Sequence, residues 1–75
     1  MFDSNAIKSL ISQKIADAVV TVESPDNVHF TAIVKSPAFT GKSAIDQHRM
    51  VYAALEGKVG NQIHALSIET QSVDL

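Results

Sequence analysis

The chain has 75 residues, 45% hydrophobic and 19% charged, with a net charge of -2. A single small globular domain spanning residues 1–75 is expected, with a core that leaves much of the surface exposed. The lack of a basic cluster argues against nucleic-acid binding driven by charge alone, and the lack of cysteine excludes disulfides, thiolate zinc sites and a self-contained cysteine-ligated iron-sulfur cluster.

The opening Met1-Phe2-Asp3-Ser4-Asn5 has neither the basic start of a signal peptide nor the Arg-rich character of a transit peptide, so a reducing, cytoplasmic setting is expected, with a processed organellar protein as the alternative. No apolar run approaches the ~20 residues that would span a bilayer. Ile7, Leu10, Ile11, Ile15 and Ala18 fall at helical spacing, predicting an amphipathic helix from about Ser4 to Asp17, with Asp3 or Ser4 as its cap. Val19-Val20-Thr21-Val22 is β-branched throughout and ends at Ser24-Pro25-Asp26-Asn27, a strand followed by a turn. A second strand, His29 to Lys35, sets Phe30, Ala32 and Val34 on one face and His29, Thr31, Ile33 and Lys35 on the other. The short connection makes the pair an antiparallel hairpin.

Ser36-Pro37 stops the second strand, and Gly41 precedes a helical pattern from about Ser43 to Val59. Ile45, His48, Tyr52, Leu55 and Val59 follow three-and-four spacing and are expected to form the stripe facing the sheet, with His48 packed within it. Gly57, Gly60 and Asn61 mark the helix end. Ala65 to Thr70 alternates Leu66 and Ile68 against Ser67 and Glu69, a half-buried strand. The fold class is thus α+β: helix-strand-strand-helix-strand, a three-stranded mixed sheet with helices on one face. A strand-helix-strand crossover is normally parallel. If the last two strands are neighbours, His29 and His64 begin at the same sheet edge, within ~4.8 Å or twice that, close enough for one shared metal centre.

Three segments carry a family resemblance: Phe39-Thr40-Gly41-Lys42-Ser43, then Gln47-His48-Arg49-Met50-Val51-Tyr52, then His64-Ala65-Leu66-Ser67. In order and spacing, F-x-G-K-S, H-R-x-V-Y and H-A-L-S resemble the BolA family over about Val19 to Thr70. The resemblance implies a fold similar to the type II KH domain. It also implies a non-enzymatic partner of a monothiol glutaredoxin, monomeric alone and heterodimeric with that partner, serving iron-sulfur cluster trafficking or iron sensing. The glutaredoxin cysteine and the glutathione thiol would hold one side of a [2Fe-2S] cluster that the isolated chain does not carry. His64 falls on the family's cluster-ligating histidine. His29 is the one residue in the hairpin region matching a second histidine or cysteine ligand. Neutral imidazole suits iron, and histidine in place of thiolate raises a cluster's potential.

From the residues alone, His64 also suits a strand-start histidine and His29 an exposed turn histidine. Asp26 is a further possible donor, although oxygen is a poor ligand for an iron-sulfur centre. Gly41-Lys42-Ser43 invites a phosphate-loop reading, but G-x-x-x-x-G-K-S fails at its first position, Ser36, and Pro37 stiffens the loop. A weaker expectation is that the helix start, with Lys42 beside it, holds an anion or a partner's carboxylate; the alternative is a turn glycine and a capping serine. The KH-like fold supplies a second function, nucleic-acid-binding transcriptional regulation, with Arg49 and the F-x-G-K-S turn near phosphate. No G-x-x-G clamp is present, so such binding is expected to be weak and salt-sensitive.

Overall fold

The computed structural model describes residues 3–26, 28–56 and 65–73. Helix α1 spans Ser4–Lys14 and is capped by Asp3, whose side chain accepts from Ala6 N–H at 2.9 Å. It buries Ile7 and Ile11. The helix stops three residues short of the expected Asp17 because Ile15 turns extended and is itself buried. Asp17 then takes a left-handed conformation, φ 52°, which short polar residues tolerate.

Strands β1 (Val19–Glu23) and β2 (His29–Ser36) pair antiparallel, with Val20 opposite Val34 and Val22 opposite Ala32. Strand β3 (Ala65–Ser72) lies parallel to β2, so β2 is central in the order β1-β2-β3. The expected parallel crossover is therefore present, and β2 and β3 run one and two residues further than the sequence pattern suggests. Phe30, Ala32 and Val34 form the buried face of β2, joined by Val20 and packed on by Leu66 and Ile68. Ile7, Ile11, Ile15, Phe39, Val51, Ala54 and Leu55, from the helices and the turns beside them, complete this core among the described residues. Ser36 is the buried polar residue among those described: its hydroxyl donates to Ala16 O at 2.6 Å and accepts from Ala38 N–H at 3.0 Å. It thereby pins the end of β2 to the loop after α1.

A 3-10 turn, Pro37–Phe39, leads to helix α2, Ala44–Ala54. Ser43 caps α2 by accepting from Asp46 N–H at 3.2 Å. The helix ends earlier than expected. Leu55 caps it, and Glu56 adopts φ 56°, the left-handed geometry of a helix terminus. Val59 and the stop residues Gly57, Gly60 and Asn61 lie outside the described residues.

The expected stripe on α2 is corrected. Ile45 is 66% exposed and Tyr52 44% exposed, His48 is half-buried, and the core side is formed by Val51, Ala54 and Leu55. The helix is rotated from the expected phase by about one residue step, ~100°. Gln47 sets that phase: its Nε2 donates to Lys42 O at 2.9 Å and Phe39 O at 3.4 Å, and its Oε1 accepts from Thr70 Oγ1 at 2.7 Å. Position 47 thus faces the sheet, which turns Ile45 and Tyr52 outward.

Candidate functional site

Parallel pairing makes the first residues of β2 and β3 neighbours, with His29 in register with Ala65. The expected meeting of the strand starts is therefore present. His64 lies outside the described residues and is joined to Ala65 by one peptide bond.

The turn before β2 is organised by Asp26. The backbone N–H groups of Val28 and His29 each donate to Asp26 Oδ1 at 2.9 Å, an Asx-type turn. The second oxygen, Oδ2, is 2.8 Å from His29 Nδ1. The backbone bond from His29, its ring bond and the Val28 bond, in that order, hold the Asp26 carboxyl well below the usual carboxylate range. His29 remains 71% exposed and Asp26 47%. The imidazole is thus gripped at one nitrogen and open to solvent around the rest of the ring. Sequence reasoning considered Asp26 as a poor metal donor and missed its bond to His29; the D-x-x-H spacing at a strand start was the available signal.

Among the described residues, no group of three or more His, Cys, Asp or Glu is arranged to hold a metal ion.

The second group of candidates lies at the other end of the sheet. Gly41, Lys42 and Ser43 follow the far end of β2, and seven residue steps separate His29 from Ser36, roughly 23 Å at strand rise. Gly41 has φ 80°, a conformation that favours glycine, and lets Lys42 N–H close the turn onto Phe39 O at 3.1 Å. Phe39 is wholly buried. Ser43 caps α2, and Asp46 in the first helical turn sits 3.8 Å from the exposed Arg49. Within F-x-G-K-S, three positions therefore have structural duties: core, turn and cap. Lys42 is exposed. The structure does not bring His29 together with Gly41, Lys42, Ser43 or Arg49. His48, half-buried on α2, belongs to the helix rather than to the His29 edge. Gln47, which locks this end of the sheet, stands in the sequence where relatives often carry a basic residue before the helical histidine, and its structural bonds were not legible there. Among the described residues, no helix is long and apolar enough to cross a membrane.

The profile of the BolA family, described as BolA-like protein, matches residues 7–74. The Escherichia coli (strain K12) protein named DNA-binding transcriptional regulator BolA is 33% identical over 45 residues, which are 60% of this chain and 43% of that protein. The chain thus spans less than half the length of that relative. Among solved structures, a bolA protein homologue from Coxiella burnetii matches with a TM-score of 0.82 at 37% identity, covering 96% of this chain and 92% of that one. The BolA domain of SufE1 from Arabidopsis thaliana matches with a TM-score of 0.76 at 29% identity, covering 92% and 90%. With the same two-helix, three-stranded architecture as these structures and a profile match over nearly its whole length, the chain belongs to the BolA-like protein family.

Proposed function

We propose that this chain is the partner of a monothiol glutaredoxin and shares with it a glutathione-ligated [2Fe-2S] cluster, for iron-sulfur cluster trafficking or iron sensing. The observation that carries this reading is the sheet edge where His29, held by Asp26, stands in register with the residue after His64. The donors fit one flank of a cluster and no more. His29 and His64 offer two imidazoles, whereas a [2Fe-2S] centre takes four ligands. With no cysteine in the chain, the remaining thiolates come from the partner and glutathione. Bound there, the cluster would supply one-electron or iron-sulfur transfer chemistry; the chain's own work is to present imidazole nitrogen and a docking surface. On this reading it is not an enzyme. It is a cytoplasmic protein, monomeric alone and heterodimeric in complex.

The test is reconstitution of chain and glutaredoxin with iron, sulfide and glutathione. A heterodimer with its own visible spectrum is expected, and His64→Ala should abolish that spectrum while leaving circular dichroism unchanged. A cluster assembled on this chain alone, without thiol donors, overturns the shared-ligand reading.

The name of the Escherichia coli relative favours a second reading, DNA-binding regulation. With a net charge of -2, affinity for random duplex DNA should vanish between low and physiological salt. Sequence-specific binding by the isolated chain at physiological salt would place this reading first.

A further inference from the structure

The Asp26 turn has one more hydrogen bond than a turn requires. An Asx turn needs a single acceptor oxygen for the backbone N–H groups that follow, and Asn supplies one as well as Asp. Here Oδ1 fills that role for Val28 and His29. Oδ2 is directed at His29 Nδ1, 2.8 Å away. An ionised carboxylate can only accept hydrogen bonds, so in the neutral ring Nδ1 must carry the proton. Nε2 is then left with its lone pair, on the side of the ring away from Asp26.

We propose that Asp26 is a positioning residue for His29: it fixes the Nδ1–H tautomer and the ring orientation, so that Nε2 is the atom offered to iron at the β2–β3 edge. The proposal rests on the functional reading given above for the identity of the ligand, but the tautomer stands on this chain's geometry alone. Both carboxylate oxygens are engaged, so the carboxylate cannot rotate away from the ring without also losing backbone bonds. The anchor is local, Asp26 and His29 being three residues apart, so it holds before any partner arrives. Pre-set orientation matters because His29 is 71% exposed and its neighbours alone would leave the ring free to turn. A carboxylate on the distal nitrogen also raises the basicity of a ligating imidazole, and removing such partners typically weakens metal binding by about 10–100-fold.

Asp26→Asn separates this role from that of a turn former. Its Oδ1 keeps the backbone bonds, while its amide nitrogen, now a donor, faces Nδ1 and requires a lone pair there. The proton moves to Nε2 and the nitrogen meant for iron is blocked. The measurement is the long-range proton-nitrogen correlation of the imidazoles in the isolated, nitrogen-15-labelled chain, read at the alkaline end of a pH series. Wild type should show His29 protonated at Nδ1, and Asp26→Asn should show the reverse with backbone amide dispersion preserved. If Asp26→Asn disturbs the turn, Asp26→Ser keeps one oxygen for the backbone and should likewise lose the Nδ1–H preference. A wild-type ring protonated mainly at Nε2, or a tautomer unchanged by these substitutions, overturns the proposal.

The reconstituted glutaredoxin complex supplies the second arm. Asp26→Asn should release its cluster to a chelator about 10–100-fold faster than wild type. If the tautomer reverses but the release rate does not change, Asp26 orients the ring as proposed and His29 is not a ligand. That outcome overturns the functional reading of His29 and leaves the tautomer assignment standing.

Discussion

At the scale of single residues, Asp26 does the work of two groups, an acceptor for the turn backbone and an acceptor for an imidazole. Its depressed acidity has a definite consequence. A carboxyl whose pKa is lowered by folding stabilises the folded state above its ordinary value of ~3.9 and loses that contribution as pH falls through the depressed folded value. At pH ~3.9, therefore, the side-chain carboxyl carbon of Asp26 should still show the fully ionised shift in a carbon-13 titration. In His29→Ala the ring bond is gone and the backbone bonds remain, so the midpoint should rise part of the way back. A wild-type midpoint near the ordinary value would show that the hydrogen bonds do not persist in solution. Ser36 is the buried counterpart: one hydroxyl satisfies both a carbonyl and an N–H where water has no access.

At the scale of elements, α2 shows how few polar contacts decide which face of a helix is buried. Ile45 and Tyr52 have the hydrophobicity to face the core, yet they are exposed, and the amide of Gln47 occupies the inward direction. Replacing Gln47 by Ala removes its bonds to Lys42 O, Phe39 O and the Thr70 hydroxyl, of which Phe39 O still accepts from Lys42 N–H. It should cost about 1–3 kcal/mol. Ile45→Ala, on an exposed helical site, should stay within about 0.5 kcal/mol. Urea midpoints of the two variants check this directly, and the reverse ranking would restore the phase suggested by the apolar spacing.

At the scale of the whole molecule, the two ends of one sheet differ. The end that starts β2 and β3 presents His29, while the opposite end is tied together by Phe39, Gly41, Ser43 and Gln47. Phe39 is among the largest wholly buried side chains in a chain whose total stability is expected to be about 5–15 kcal/mol. Phe39→Ala should cost about 3–5 kcal/mol, read as a drop in melting temperature by circular dichroism. Phe39→Leu, which keeps most of the apolar volume, should melt closer to wild type. A Phe39→Ala variant with unchanged melting would show that the Phe39 side chain does not contribute to the stability of the core.

Much of this architecture is local information and therefore legible in the residues themselves. The β-branched run of β1, the alternation of β2, the cap at Asp3 and the Ser24-Pro25 stop follow from steric and hydrogen-bonding preferences that act over a few positions. The chirality of strand-helix-strand connections adds the parallel pairing, and with it the common edge for His29 and the start of β3. Three features were decided only in the folded chain. The early ends of α1 and α2 arise because Ile15 and Leu55 reach the core from helix termini. The phase of α2 depends on Gln47 meeting Thr70, 23 residues away. The grip of Asp26 on His29 depends on a turn geometry that aims the two carboxylate oxygens at different donors. Spacing names which residues share an element. The direction of the Gln47 amide is fixed only when a distant segment packs against it, and that of the Asp26 oxygens only when the turn before β2 closes.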